Sequence, residues 1–411
     1  MHKKIFLNTA YQVIGKVIIS GLAVISTAFL SRYLGVNKFG EYSFIFAFVG
    51  LASVFPDFGL GTLATREIAA KRAGKNYFNQ IFTLRVLLSV LALIVLLPIV
   101  VFYPFSAPIK LGILIAYCGN IFLLVSSIIW SVFQAELKFQ KTVIAQVITA
   151  VISMVLIVLA VILRLPFIFF IIVTAISAIA GLIVSLRYLH FKIHLSLDFQ
   201  VFKELIKKSF PLSVGLILST AYFKIDSLIL SYYFNPGNFP FVGLYSMAYR
   251  IFEVFIVFAG FFLQTLFPHF SSNLGKKAFL SSFKRFFIYS VLISAAVMLA
   301  MIIFSGPFVI FLGGSEYVQS VGAVSILSLA AFSTILGGFF YTVAVAAHKQ
   351  VLLAKLAVIA LLINVILNII YIPTGTYIAA SWITVLTQGF ILIVNGLVVF
   401  RVVKSKLATT E

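Results

Sequence analysis

The chain has 411 residues, of which 63% are hydrophobic and only 10% are charged. A soluble domain is nearer half apolar and a quarter charged, so these figures exclude one. The 30 basic and 10 acidic residues give a net charge of +20, which in a soluble protein would point to nucleic acid and here makes the placement of the charges the question.

A helix needs about 20 mostly apolar residues to cross a bilayer, and hydrophobic runs separated by short polar breaks predict twelve such spans. In chain order they cover 8–31, 41–64, 81–102, 111–133, 142–163 and 167–189, then 209–233, 241–268, 284–305, 318–346, 351–371 and 377–400. The first run is too long for a signal-peptide core and reads as helix 1. The runs are too long for barrel strands and lack their strict alternation. The expected fold class is an all-α polytopic membrane protein, about 12 transmembrane helices in two six-helix lobes. The lobes are expected at 1–190 and 209–411, joined by a cytoplasmic interfacial linker at 191–208.

Lys and Arg accumulate on cytoplasmic loops near span ends. One side of the membrane collects Lys3, Lys4, Arg66, Lys71, Arg72, Lys75, Arg85, Lys138, Lys141, Arg187, Lys192, Lys203, Lys207, Lys208, Lys276, Lys277, Lys284, Arg285, Lys349, Lys355, Arg401, Lys404 and Lys406. The opposite side holds only Arg32, Lys38, Lys110 and Arg164. Both termini are therefore expected in the cytoplasm, which needs an even number of spans, in a cell (inner or plasma) membrane. Within the linker, Phe199, Phe202, Leu205 and Ile206 recur at helical spacing among Asp198, Lys203, Lys207 and Lys208. That pattern predicts an amphipathic helix on the inner leaflet; an ordinary connector is the alternative.

The chain repeats itself. Leu30-Ser31-Arg32-Tyr33 before Gly40-Glu41-Tyr42-Ser43 resembles Leu230-Ser231-Tyr232-Tyr233 before Gly243-Leu244-Tyr245-Ser246. Both copies sit between the first and second helix of a six-span half, so the two halves share one orientation, a parallel repeat about an axis along the membrane normal.

Three cations, Lys16, Lys224 and Arg250, and three acids, Asp57, Asp226 and Glu253, remain inside spans. An ionised group in hydrocarbon costs a few kcal/mol even on the lenient insertion scale. These six occupy helices 1, 2, 7 and 8, the first two of each half, which are expected to surround a polar cavity. Helices 3–6 and 9–12 carry no charge at mid-depth on this reading, with Arg85 and Lys355 close enough to the inner surface to snorkel. The alternatives stay open: Lys16 snorkels, Asp226 and Arg250 neutralise one another, or Arg250 and Glu253 pair at i, i+3. Asp57 lies in Pro56-Asp57-Phe58-Gly59-Leu60-Gly61, whose proline and glycines would loosen helix 2 into a hinge with a cavity-facing acid; a carboxylate near the inner surface is the alternative.

Other chemistry is poorly supported. The single cysteine, Cys118, excludes an internal disulfide and a cysteine metal cluster. His190 and His194 share i, i+4 spacing but lie in a basic loop without nearby acids, so no metal site is expected. Asn364 and Asn368, one turn apart, read as a bridge between neighbouring helices. The 45 Phe and 17 Tyr read mostly as lipid-facing filler and interface belt. No nucleotide-binding glycine loop is present, and the outer loops are too short and too poor in acids for a glycosyltransferase or polymerase, so no catalytic residue and no cofactor beyond a coupling proton or sodium is expected.

The chain is similar to the Wzx-type flippases, the polysaccharide-transporter branch of the multidrug/oligosaccharidyl-lipid/polysaccharide exporter superfamily. The resemblance runs over essentially the whole length and rests on three pieces. They are Asp57-Phe58-Gly59-Leu60-Gly61 leading to Thr65-Arg66-Glu67; Val242-Gly243-Leu244-Tyr245-Ser246 leading to Tyr249-Arg250 and Glu253; and Asn364, Asn368, Pro373, Gly375 and Ala379-Ala380. It implies two six-helix lobes facing a central cleft. The substrate it implies is an oligosaccharide on a polyprenyl pyrophosphate, moved from the inner to the outer leaflet by alternating access for cell-surface polysaccharide, O-antigen included. Lys16, Lys224 and Arg250 would then attract the pyrophosphate, and Asp57, Asp226 or Glu253 would bind a proton or sodium or remake ion pairs as the lobes rock. Implied partners are the lipid-linked oligosaccharide, membrane lipids, and a polysaccharide polymerase or glycosyltransferases, with no nucleic acid. The short tail after helix 12 argues against the peptidoglycan-precursor role. The alternative is an ion-coupled multidrug or organic-cation antiporter of the same superfamily, which would need cavity acids to outnumber bases.

Overall fold

The computed structural model describes residues 2–70, 75–234, 239–273 and 278–407. The side chains of Lys3, Lys4, Lys75, Lys404 and Lys406, and the whole of Lys71, Arg72, Lys276 and Lys277, lie outside the described residues. The helices run in the order α1 (His2–Ala52), α2 (Val54–Asp57), α3 (Leu60–Ala69), α4 (Lys75–Phe102), α5 (Ala107–Ala135), α6 (Phe139–Ile162) and α7 (Phe167–Tyr188). They continue with α8 (Phe199–Tyr233), α9 (Pro240–Asn273), α10 (Ala278–Ile303), α11 (Ser305–Gly313), α12 (Ser320–Ala346) and α13 (Gln350–Leu407), with a single 3-10 turn at Ser315–Tyr317.

Among the described residues nine helices are long and apolar enough to cross a bilayer, ten if Phe199–Leu218 and Thr220–Tyr233 form one bent span. Two of them, Ala10–Asp57 with 48 residues and Gln350–Val403 with 54, are more than twice the roughly 20 residues a crossing requires. Each is interrupted by a left-handed residue, Gly35 at φ 68° and Thr376 at φ 54°, and so supplies two crossings. The chain is thus an all-helical membrane protein with about twelve spans.

Contacts divide it into two units, residues 1–224 with 236–238, and residues 225–235 with 239–411. The chain passes between them inside α8. In the first unit α5 packs on α7, α3, α1 and α4, and α6 on α1 and α7. In the second, α12 packs on α13, α9 and α10. Of the spans, α5 and α12 are the most buried, and each is the fourth crossing of its half. The repeat seen in the sequence therefore extends to which helix is the core.

Without a strong hydrophobic drive between helices in lipid, small residues set how closely they approach. Gly119 of α5 faces α7 so tightly that a Cβ there would stand 2.8 Å from Ala175 Cα. Trp130 Nε1 of α5 donates to Ser185 Oγ of α7 at 2.9 Å. In the second unit Phe270, Phe279, Phe283, Phe286, Phe287 and Phe339 pack together between helices. These rings are core and belong to the part of the aromatic load that does not face lipid.

The linker expectation is corrected in part. Asp198 caps α8, its Oδ1 accepting from the backbone N–H of Gln200 at 3.0 Å and Val201 at 3.2 Å. The helix forms as expected, but Phe202 and Leu205 are buried against Phe78, Ile81 and Leu84. Only Phe199 and Ile206 of the expected lipid face are exposed. The segment before it is tied to α4, with His194 N–H donating to Asn79 Oδ1 and Ser196 N–H to Thr83 Oγ1.

Candidate functional site

In the second unit α8, α9 and α13 converge on Asp226. This carboxylate is only 4% exposed. Tyr245 Oη donates to its Oδ2 at 2.7 Å, Thr384 Oγ1 lies 3.2 Å from the same oxygen, and Asn368 Nδ2 donates to Oδ1 at 2.8 Å. Asn368 Nδ2 also meets Asn364 Oδ1 at 3.0 Å, while Asn364 Nδ2 and Asn368 Oδ1 are buried without partners. Tyr245 Oη and Thr384 Oγ1 are 3.2 Å apart, and Thr384 Oγ1 is 3.0 Å from Ala380 O. Helical periodicity makes this cluster: Asn364 and Asn368 share a face at i, i+4, as do Ala380 and Thr384.

Among the described residues, every group hydrogen-bonded to this acid is neutral. The sequence-level option that Asp226 and Arg250 neutralise one another is therefore corrected. Arg250 instead lies 3.3 Å from Glu253 Oε2 on the same helix, both side chains partly exposed. A buried carboxylate surrounded by hydroxyl and amide groups, with spare acceptor capacity at Asn368 Oδ1, is suited to taking up a proton or a small hard cation. Tyr245 and Thr384 were not singled out on sequence. Tyr245 belongs to the repeated Gly-Leu-Tyr-Ser block and so carried a signal; Thr384 carried none.

The first unit holds a different arrangement. Helix 2, expected over 41–64 with a hinge at Pro56–Gly61, stops at Ala52, resumes as α2 and breaks again at Phe58 and Gly59 before α3. Asp57 is the last residue of α2, where its Oδ1 lies 2.7 Å from Arg85 Nη1. Arg85 was expected to snorkel to the inner surface, yet its side chain is wholly buried, on α4, which packs against α2, α3 and α5. Helices 3–6 thus do carry a buried charge.

The remaining candidates are divided between the two units. Lys16 lies exposed on α1 and Lys224 half-buried on α8, both in the first unit, whereas Arg250 and Glu253 belong to the second. Near the linker, His190 Nε2 and Lys138 Nζ reach the two carboxylate oxygens of Glu136, at 2.9 and 2.7 Å. This corrects the expectation that His190 has no acid nearby. Burial alone would raise the Glu136 carboxyl, but the hydrogen bonds from Lys138 and His190 outweigh it and hold the group below the usual carboxylate range. Among the described residues, no group of three or more His, Cys, Asp or Glu side chains is placed to hold a metal.

Residues 5–274 match the family described as polysaccharide biosynthesis protein. No curated protein matches the chain. Among solved structures it is similar to an inward-facing multidrug resistance MATE family transporter of the MOP superfamily, with TM-score 0.78, 15% identity and coverage of 95% of this chain and 96% of that one. It is also similar to the lipid II flippase MurJ in an inward closed conformation, with TM-score 0.76, 16% identity and coverage of 96% and 88%. A third is a MOP superfamily transporter from Pyrococcus furiosus described by the reverse polarity of its binding pocket, with TM-score 0.66, 17% identity and coverage of 97% and 95%. At such identities the likeness establishes the fold.

Proposed function

The chain belongs to the polysaccharide biosynthesis protein family, and from that membership we propose that it is an ion-coupled flippase for polyprenyl-pyrophosphate-linked oligosaccharide, moving it from the cytoplasmic to the outer leaflet. The family supplies the polysaccharide context and the fold supplies transport. The observation that carries the coupling is Asp226, a carboxylate buried in a membrane segment among neutral partners only. Such a group is costly in lipid unless it exchanges its charge with an incoming ion.

Asp57 is a poorer coupling candidate. It already compensates a buried guanidinium, and a cation bound there would compete with Arg85. Asp226 has no such obligation. Binding of a proton or sodium would cancel its charge and reorganise the hydrogen bonds from Tyr245, Thr384 and Asn368, which link α8, α9 and α13. Lys16, Lys224 and Arg250 serve in this reading as attractors for the pyrophosphate, since a charge-assisted contact to phosphate strengthens as the medium grows drier.

The test is the leaflet distribution of polyprenyl-linked sugars in cells with and without the gene, measured while the proton and sodium gradients are collapsed in turn. Accumulation on the inner leaflet without the gene, and on collapse of one gradient, is expected. An unchanged distribution without the gene overturns the reading. Arg250→Ala and Lys224→Ala together are expected to lower export at least about tenfold, the loss of one or two charge-assisted contacts; normal export in that variant removes the cationic attractors from the mechanism.

A further inference from the structure

The Asp57–Arg85 pair has a geometry that transport of the substrate does not by itself require. Phe58 and Gly59 both occupy the left-handed region, at φ 39° and 70°, and separate α2 from α3. Arg85 arrives from α4 and is wholly buried, whereas the carboxylate it faces is 37% exposed. Nη1 meets Asp57 as an ion pair, and among the described residues no nitrogen of the guanidinium has a hydrogen-bond acceptor. Among those residues one partly exposed carboxylate compensates the buried cation.

The other side of the same break presses on α8. A Cβ at Gly59 would stand 2.8 Å from Leu212 Cβ and 3.2 Å from the Ser213 backbone nitrogen, so only glycine allows this approach. The Phe58 ring lies 6.2 Å from that of Phe210. The contact falls at Pro211, which removes one hydrogen bond of α8, and lies in the segment Phe199–Leu218, ahead of the 43° bend before Thr220. All of these residues belong to the first unit, and α8 is the helix in which the chain passes to the second.

We propose that Arg85 is a positioning residue: with Asp57 it forms a latch that holds the broken helix 2 against α8 at Phe210–Ser213, and opening the pair frees this stretch of α8 around Pro211, where a backbone hydrogen bond is already missing. Opening the pair would leave a buried guanidinium uncompensated, which is strongly unfavourable, so the latch holds until another group or water takes the carboxylate's place. Space-filling alone does not account for it, since an apolar pair of similar volume is often as stable as a buried ion pair. Its role in export rests on the flippase reading; its effect on α8 does not.

Amide hydrogen exchange of the full-length protein in lipid nanodiscs, without substrate, reads the latch directly at 53–61 and 206–215. Asp57→Asn and Arg85→Leu are each expected to raise exchange in both segments about tenfold or more. Arg85→Lys, which keeps a cation, is expected to stay near the wild-type rate and to retain export where Arg85→Leu loses it. Unchanged exchange at α5 certifies that a variant is folded. The latch is overturned if folded Asp57→Asn and Arg85→Leu leave 206–215 at the wild-type rate, or if Arg85→Lys exchanges as fast as Arg85→Leu. Faster exchange with export intact overturns its role in transport. Failure of the flippase reading shows separately, as absent export by the wild-type protein.

Discussion

Asp226 is held by three neutral side chains, and each contact makes its own prediction. Asp226→Asn keeps the size and most hydrogen-bonding capacity of the group but cannot exchange charge. Export is expected to fall more than about tenfold while thermal stability in detergent holds or rises, because a costly buried charge is gone. Stability lost together with export would mark Asp226 as structural. Tyr245→Phe removes one hydrogen bond to a charged group, worth about 1.5–3 kcal/mol; the expected result is a shifted ion dependence of export, read from its half-saturating ion concentration. Glu136 offers a pH test outside the spans. Its carboxyl lies below the ordinary carboxylate range, so the stabilisation it provides is present above its unfolded pKa, near 4.3, and is lost as pH falls through the lower folded value. Thermal melts of Glu136→Gln and wild type are expected to differ slightly at pH 7 and to converge below about pH 4. The difference stays small because the carboxylate and both its partners are partly exposed. At this scale the sequence exposed the expensive residues, since a charge within an apolar run stands out, and it found Asp57 and Asp226. It did not expose their partners. Thr384 and Asn368 are ordinary polar residues of membrane helices until the fold brings them to an acid, and Arg85 was masked by its closeness to a basic loop.

Elements were the most legible level. Runs of apolar residues long enough to cross a bilayer are physically constrained, because a spanning segment must satisfy its backbone internally. The interruptions were less legible. Pro56, Gly59 and Gly61 signalled a weak point in helix 2, but the left-handed Phe58 and Thr376 are non-glycine positions, and no composition rule announces them. Helix α8 shows a second limit: periodicity gave its apolar face, while only packing decided that Phe202 and Leu205 meet protein and not lipid. Close helix contacts are testable in the same way. Gly119→Val would drive branched methyl groups into α7 at Ala175, an overpacking expected to cost about 1–3 kcal/mol. A lowered melting temperature with the Trp130–Ser185 contact disturbed is the expected outcome; an unaltered melt would mean that α5 and α7 separate at no cost.

The whole molecule carries its net charge of +20 as an asymmetry between loops, and that asymmetry makes the orientation testable. Each Lys or Arg near an anionic cytoplasmic surface is worth about 1 kcal/mol, so the loops rich in them resist translocation far more than loops holding only Arg32, Lys38, Lys110 or Arg164. The breaks in the structure provide insertion points between helices: Tyr103–Ser106 between α4 and α5, Leu137 between α5 and α6, and His190–Leu197 between α7 and α8. Alkaline phosphatase folds only outside the cytoplasm and a fluorescent reporter shines best within it, so paired fusions give opposite signals at each point. Phosphatase activity is expected at 104 and fluorescence at 137, at 192 and at the C-terminus. Two further turns strengthen the test. With two six-span halves in one orientation, a phosphatase signal at the C-terminus would require an odd number of crossings and would break the parallel repeat. Replacing Lys192, Lys203 and Lys207 by Gln is expected to leave the pattern unchanged, since the positive loops on the same side act together. An inverted signal at 137 alone would place α5 and α6 differently from the core position that α5 shares with α12.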